Sequence, residues 1–399
     1  MTGREVPGRW RVVGALFVVV ACVATGVSAF GVFLPVLADT FGWSRGAIAV
    51  ALSINLGLGG IAAFPVGRAA DRHGPRGVLV LTVLIGGAGF ALTSAIGALW
   101  QFYLVYGVMV GAGMSSIYVL STATVSRWFV ARRGLALAIV LSGFNLGWLL
   151  GGPVAAFLIE RIGWRSAYLA LGAIVAGVGG PAALAVRYPP GALAPAGPRS
   201  AEARAGTSLR HALGARQLWQ LVGSWFAIGF VFMMVTVHSV PLARDLGLPL
   251  EHAAFMLTAY GLGAGVGRLA AGAAADRLGA VAIMRACLAL QAIALALLVA
   301  GPPPWALTVV LVAFGVGASG ADNAFVKRVP EVFGVGALAT VMSVLGLGWR
   351  TGAALGPAGA GFIYDATGSY TIPFAAGLVA LGAGALLFSL GSRPRTAGS

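Results

Sequence analysis

Three ionisable side chains, Arg268, Asp322 and Arg350, lie inside apolar stretches of this sequence. Each stretch is long enough to cross a bilayer as a helix, which takes about 20 residues. An ionised group at mid-bilayer costs at least about 2.5–3.5 kcal/mol, so its presence needs a reason. A guanidinium keeps its proton in proteins and offers a planar fork of donors that matches a carboxylate. One aspartate can neutralise only one of two arginines, so the set is short of an anion, and an anionic substrate is the chemistry that completes it. A structural ion pair, or a position for Asp322 near the rim beside Lys327 and Arg328, would explain the acid but not the second arginine. Counted at 1.5 Å per residue, Arg268 sits about 12 Å above Asp276 and Asp322 about 8 Å above Lys327, which is comparable depth. Asp322 is also the expected proton carrier. Burial and a neighbouring arginine act on a carboxyl proton in opposite senses, so two states of a carrier can differ in protonation. In this scheme ionised Asp322 pairs with an arginine when the carrier is empty, and proton and carboxylate then enter together.

The elements that must hold these groups follow from composition. Of 399 residues, 59% are hydrophobic and 9% charged, which excludes a soluble globular domain. The net charge of +15 is spread over short clusters between apolar runs, a pattern of membrane loops and not of a nucleic-acid surface. Reading between the clusters gives twelve spans, roughly 12–37, 47–67, 77–95, 101–126, 134–159, 166–186, 218–240, 252–274, 281–300, 306–327, 335–362 and 370–391. The expected fold is therefore all-α, with two six-helix bundles at 1–186 and 218–399 joined by a polar linker at 187–217 rich in Pro, Gly, Ala and Arg. The first run is too long for a secretory signal and is expected to be retained. With the N-terminus cytoplasmic, 20 Lys and Arg fall in inner segments, including Arg4, Arg199, Arg204, Arg210, Arg393 and Arg395, against 4 in outer ones. Both termini are thus placed on the cytoplasmic side of the inner membrane. Cys22 and Cys287 read as small core residues. No metal-ligand cluster or cofactor motif is present, and the single lysine, Lys327, follows a valine, which rules out a phosphate loop and leaves gradients as the energy source.

The two halves repeat. Gly67, Asp71, Arg72, Gly74 and Arg76 recur about 205 residues later as Gly272, Asp276, Arg277 and Gly279, with Ala280 and Val281 where a late basic residue would stand. Internal repeats of this kind mark secondary transporters whose halves rock about a midplane site. The loop pattern resembles the gating motif of the major facilitator superfamily. Phe30-Gly-Val-Phe-Leu-Pro35, Phe41-Gly-Trp-Ser-Arg45, Arg132-Arg133-Gly-Leu-Ala-Leu-Ala and Gly163-Trp-Arg-Ser-Ala-Tyr168 are similar to the monocarboxylate-porter and oxalate:formate antiporter branch. That resemblance implies carboxylate binding by an arginine in span eight, where Arg268 stands, and a second cation in span eleven, where Arg350 stands. The aspartate that animal monocarboxylate porters carry four residues before the arginine is Ala264 here.

The N-terminal half supplies polar groups but no buried charge. Tyr118, which resembles a substrate-facing tyrosine of related porters, and Asn145 are the candidates for substrate contact, while Ser115, Ser116 and Asn55 suit helix–helix hydrogen bonds equally well. His238, at the end of span seven, is a candidate proton relay or an interfacial polar residue. Trp349 and the run Gly261–Gly267 are expected to pack, and Gly151-Gly152-Pro153 and Gly356-Pro357 to kink spans five and eleven. The function that follows is secondary active transport of a small carboxylate, proton-coupled, by a monomeric unit. Carboxylate exchange, drug:proton antiport and carboxylate sensing without transport are the alternatives. Antiport of cationic drugs calls for buried acid, and this core is net basic.

Overall fold

The structure is a computed structural model that describes residues 8–129, 132–189, 214–333 and 338–392. Most of the linker expected at 187–217 lies outside the described residues, as do Arg4, Arg199, Arg204, Arg210, Arg393 and Arg395. Among the described residues the chain is helical without strands, and nine helices are long and apolar enough to cross a membrane. One of them, Arg133–Leu184, is two helices joined at Gly163, whose φ of 77° and ψ of 159° break the ladder. Leu250–Leu278 and Leu338–Thr367 are as long as the others and carry Arg268 and Arg350. Among the described residues twelve helical segments therefore stand where the sequence places twelve spans. We number them α1 Arg9–Phe41, α2 Arg45–His73, α3 Pro75–Thr93, α4 Leu99–Trp128, α5 133–162, α6 164–184, α7 Arg216–Asp245, α8 Leu250–Leu278, α9 Ala280–Val299, α10 Pro304–Phe333, α11 Leu338–Thr367 and α12 Thr371–Gly391.

Two compact units emerge from the packing. The first holds Met1–Val36 and Ile54–Ala194; the second holds Pro195–Ser399 together with Leu37–Ser53, the end of α1 and start of α2. Within the first, Gly143, Gly147 and Gly151 of α5 let α1 approach so closely that a Cβ at Gly143 would lie 2.8 Å from the Phe17 carbonyl and one at Gly147 2.7 Å from the Ala24 carbonyl carbon. Small residues permit this backbone contact, and dispersion between the helices then holds it. The second unit repeats the arrangement between α7 and α11, where a Cβ at Gly348 would stand 2.8 Å from the Val222 carbonyl.

The repeated loops have the same backbone. Gly74 (φ 86°, ψ 161°) and Gly279 (φ 83°, ψ 151°) both occupy a region open to glycine alone. Each loop aspartate then reaches across its own unit to the helix two further on. Asp71 meets Arg127 at 2.7 Å and Asp276 meets Lys327 at 2.5 Å. Gly67 and Gly272 complete the likeness, facing Val119 on α4 and Asn323 on α10 respectively. Arg72, Arg76 and Arg277 are exposed.

Candidate functional site: Arg268 and its neighbours

In the second unit α8 and α10 meet through residues that lack side chains. A Cβ at Gly263 would collide with the Val312 carbonyl, one at Gly267 with that of Val316 and one at Gly315 with that of Tyr260. The glycine run in α8 is thus a packing surface, and its close approach brings the next turn of polar residues into reach. Arg268 Nε donates to Ser319 Oγ at 3.1 Å, and Asn323 Nδ2 donates to the Arg268 carbonyl at 2.7 Å. Asp322, next to Asn323 on α10, lies in the field of the Arg268 guanidinium. Tyr260, two turns before Arg268 on α8, interacts electrostatically with both.

The arginine and the acid do not close into an ion pair. Among the described residues no carboxylate comes within 4.0 Å of the Arg268 guanidinium. Its Nε is taken by a neutral hydroxyl, and its two amino groups make no hydrogen bond to protein among the described residues. The guanidinium is half-buried, and charge-assisted bidentate bonds to an oxyanion are the strongest that such a group forms.

Arg350 is placed by the packing of its helix. Gly348 and Gly352 of α11 face α7, and at 3.6 residues per turn a residue midway between them stands about 200° around the helix from either. Arg350 is therefore on the side of α11 turned away from α7, half-buried. The guanidinium that acts on Asp322 is that of Arg268. Trp349 packs as expected, its ring 5.9 Å from that of Phe232, which lies 5.5 Å from Tyr260.

His238 is fully buried. Its Nδ1 lies 3.0 Å from the Tyr370 hydroxyl and its Nε2 2.8 Å from the Pro357 carbonyl. These bonds anchor the ring between α7, α11 and the start of α12, and none of them reaches the Arg268 cluster. In the first unit Tyr118 is half exposed on α4 and Asn145 half-buried on α5. Asn55 donates to the Tyr106 carbonyl at 3.1 Å, Ser116 pairs with Thr82 at 2.6 Å and Ser115 donates within its own helix to the Ala112 carbonyl at 2.6 Å. The first two are ties between helices. Sequence reasoning missed Ser319, Asn323 and Tyr260 as partners of Arg268, although a polar stripe at 319, 322 and 323 has the spacing of one helix face. It also missed the cluster of Arg45 with Asp245, Asp365 and Tyr370, whose members are far apart in sequence.

The family model of the Major Facilitator Superfamily matches residues 16–254 and 234–399. The chain belongs to the Major Facilitator Superfamily. Within the superfamily it is monocarboxylate-porter-like. Human Monocarboxylate transporter 11 is 30% identical over 378 residues, which cover 92% of this chain and 79% of that protein. A gallate transporter of Pseudomonas putida is 28% identical over 385 residues, 86% of this chain and 82% of its own. A bacterial homologue of the human lysosomal transporter Spinster, solved in an inward-facing and unoccupied conformation, shares the fold with a TM-score of 0.73 at 16% identity, covering 98% of this chain and 96% of that one. Membership of the superfamily makes the chain a multi-pass membrane transporter and not an enzyme.

Proposed function

We infer that this transporter moves a small organic carboxylate by alternating access, with Arg268 binding the carboxylate. The observation that carries the reading is the Arg268 guanidinium, held through Nε by Ser319 while no acid lies within 4.0 Å among the described residues. The names of the relatives support the substrate class, since one is a monocarboxylate transporter and another a gallate transporter. Arg350, Tyr118 and Asn145 are the further residues assigned to the substrate. Asp322 carries the coupling proton: it faces Arg268 without closing on it, so a proton arriving with the anion leaves the guanidinium free for substrate. The direction of the positive-inside bias places both termini in the cytoplasm and the protein in the inner membrane, working as a monomer. Proteoliposomes given labelled lactate, pyruvate or benzoate test the reading. Accumulation driven by an imposed pH gradient is expected; uptake of none of the three, with or without internal counter-substrate, would overturn it.

A further inference from the structure

At the end of α2 opposite the Asp71 loop, the second unit grips Leu37–Ser53 through a connected set of polar groups. The Arg45 amino groups bind both oxygens of Asp245, at 2.6 and 2.7 Å. Asp365 accepts from the backbone N–H of Arg45 at 2.9 Å and of Gly46 at 2.8 Å. The guanidinium also lies 4.0 Å from the centre of the Tyr364 ring, and Nη1 donates to the Tyr370 hydroxyl at 2.8 Å. Two turns further along α2, Ser53 donates to the Ala354 carbonyl of α11.

Behind Tyr370 stands His238, and the donors run in one direction. The Pro357 carbonyl can only accept, so Nε2 carries a hydrogen, and in the neutral ring Nδ1 then accepts from the Tyr370 hydroxyl. Arg45 thus donates to Tyr370, Tyr370 to His238 and His238 to Pro357. A second proton on the ring reverses the middle bond. The Tyr370 oxygen then faces two donors, its own hydrogen loses its acceptor, and an imidazolium stands beside a guanidinium. The charged groups that act on the ring are Arg45 from α2, Asp365 from α11 and Asp245 from its own helix, with no other among the described residues. Tyr370 contacts it directly and Tyr364 lies behind Tyr370. Both acids favour an added charge, but both are already engaged by Arg45 and Gly46.

We propose that His238 is a proton-binding trigger that releases a latch, in which Arg45 holds the Leu37–Ser53 segment to the second unit. Closure of the latch and protonation of His238 oppose one another, so by linkage acid on that side favours release. The segment leaves the first unit after Val36 and rejoins it at Ile54, so a carrier whose units move must let it go. The inference rests on the transport reading for that motion, but its test uses no carboxylate.

The test places spin labels at Asp39→Cys on the segment and Ala366→Cys beside Asp365, with Cys22 and Cys287 replaced, in the full chain in proteoliposomes. Both labelled positions are exposed. In the otherwise unaltered protein a longer inter-label distance should grow in as pH is lowered from about 8 to about 4. His238→Gln keeps a donor for Pro357 and an acceptor for Tyr370 but cannot titrate, and should stay at the short distance throughout. Tyr370→Phe, which cuts the relay but leaves both ends, should lose the pH response and show the long distance at every pH. A His238→Gln protein that titrates like the parent, or distances that ignore pH in the parent, would overturn the proposal. Arg268→Lys should leave the pH response intact, so failure here and failure of the carboxylate site are separable.

Discussion

Among the described residues the Arg268 side chain makes one hydrogen bond, to a neutral hydroxyl, and a net hydrogen bond of that kind contributes about 1 kcal/mol. Replacing Ser319 by Ala is therefore expected to destabilise the protein little while loosening the guanidinium's aim, so that the KM for carboxylate rises several-fold with the maximal rate less affected. Uptake kinetics in proteoliposomes check this. Asp322 makes a different prediction. Asp322→Asn should abolish accumulation driven by a pH gradient yet leave counterflow exchange, because the amide cannot carry a proton but leaves Arg268 able to take an anion. If gradient-driven accumulation survives in Asp322→Asn at its normal level, the coupling role belongs elsewhere. The arginines and the acid were legible as single residues because each breaks an apolar run. Their relation was not: comparable depth suggested an ion pair, whereas the side chains share a field at more than 4.0 Å, with the Arg268 Nε held by Ser319.

At the scale of the helix, glycine decides which elements touch. A Val at Gly147 would drive its side chain into Ala24 of α1, where even a Cβ lies 2.7 Å from that residue's carbonyl carbon. The expected penalty is about 1–3 kcal/mol of overpacking, seen as a lower melting temperature in detergent, whereas the same change at Gly134, where a Cβ meets nothing within 4 Å, should be tolerated. The loop glycines were readable from their repetition, and the near-identical dihedrals of Gly74 and Gly279 supply the reason. The late basic residue missing from the second copy leaves its turn unchanged, because the turn depends on the glycine and the aspartate clasp. The Asp276 carboxyl is held below its usual range by the Lys327 hydrogen bond and then by that residue's charge. A carboxyl depressed in the folded state adds stability above the unfolded value near pH 4, and this is lost as pH falls through the lower folded value. The clasp is exposed, so Asp276→Asn should flatten a small acid-side change in stability and leave the neutral-pH value nearly the same.

For the molecule as a whole, hydropathy and the repeat specified twelve spans and two related halves because the bilayer forces every span into a helix. Two features were not legible. His238 read as a proton relay or an interfacial polar residue, and nothing in its neighbourhood in sequence announces Tyr370 or the Pro357 carbonyl as its partners. The attachment of Leu37–Ser53 to the second unit depends on Arg45 meeting Asp245, Asp365 and Tyr370, contacts that span 200 to 325 residues. Helix periodicity carries no information about partners at that separation.

The central claim is that an anion completes the site at Arg268, and direct binding tests it most simply. Titration calorimetry of the purified transporter with the best-transported carboxylate should give saturable binding that weakens about 10–100-fold in Arg268→Lys, the equivalent of one charge-assisted hydrogen bond. Unchanged affinity in Arg268→Lys, with the protein folded, would contradict the account.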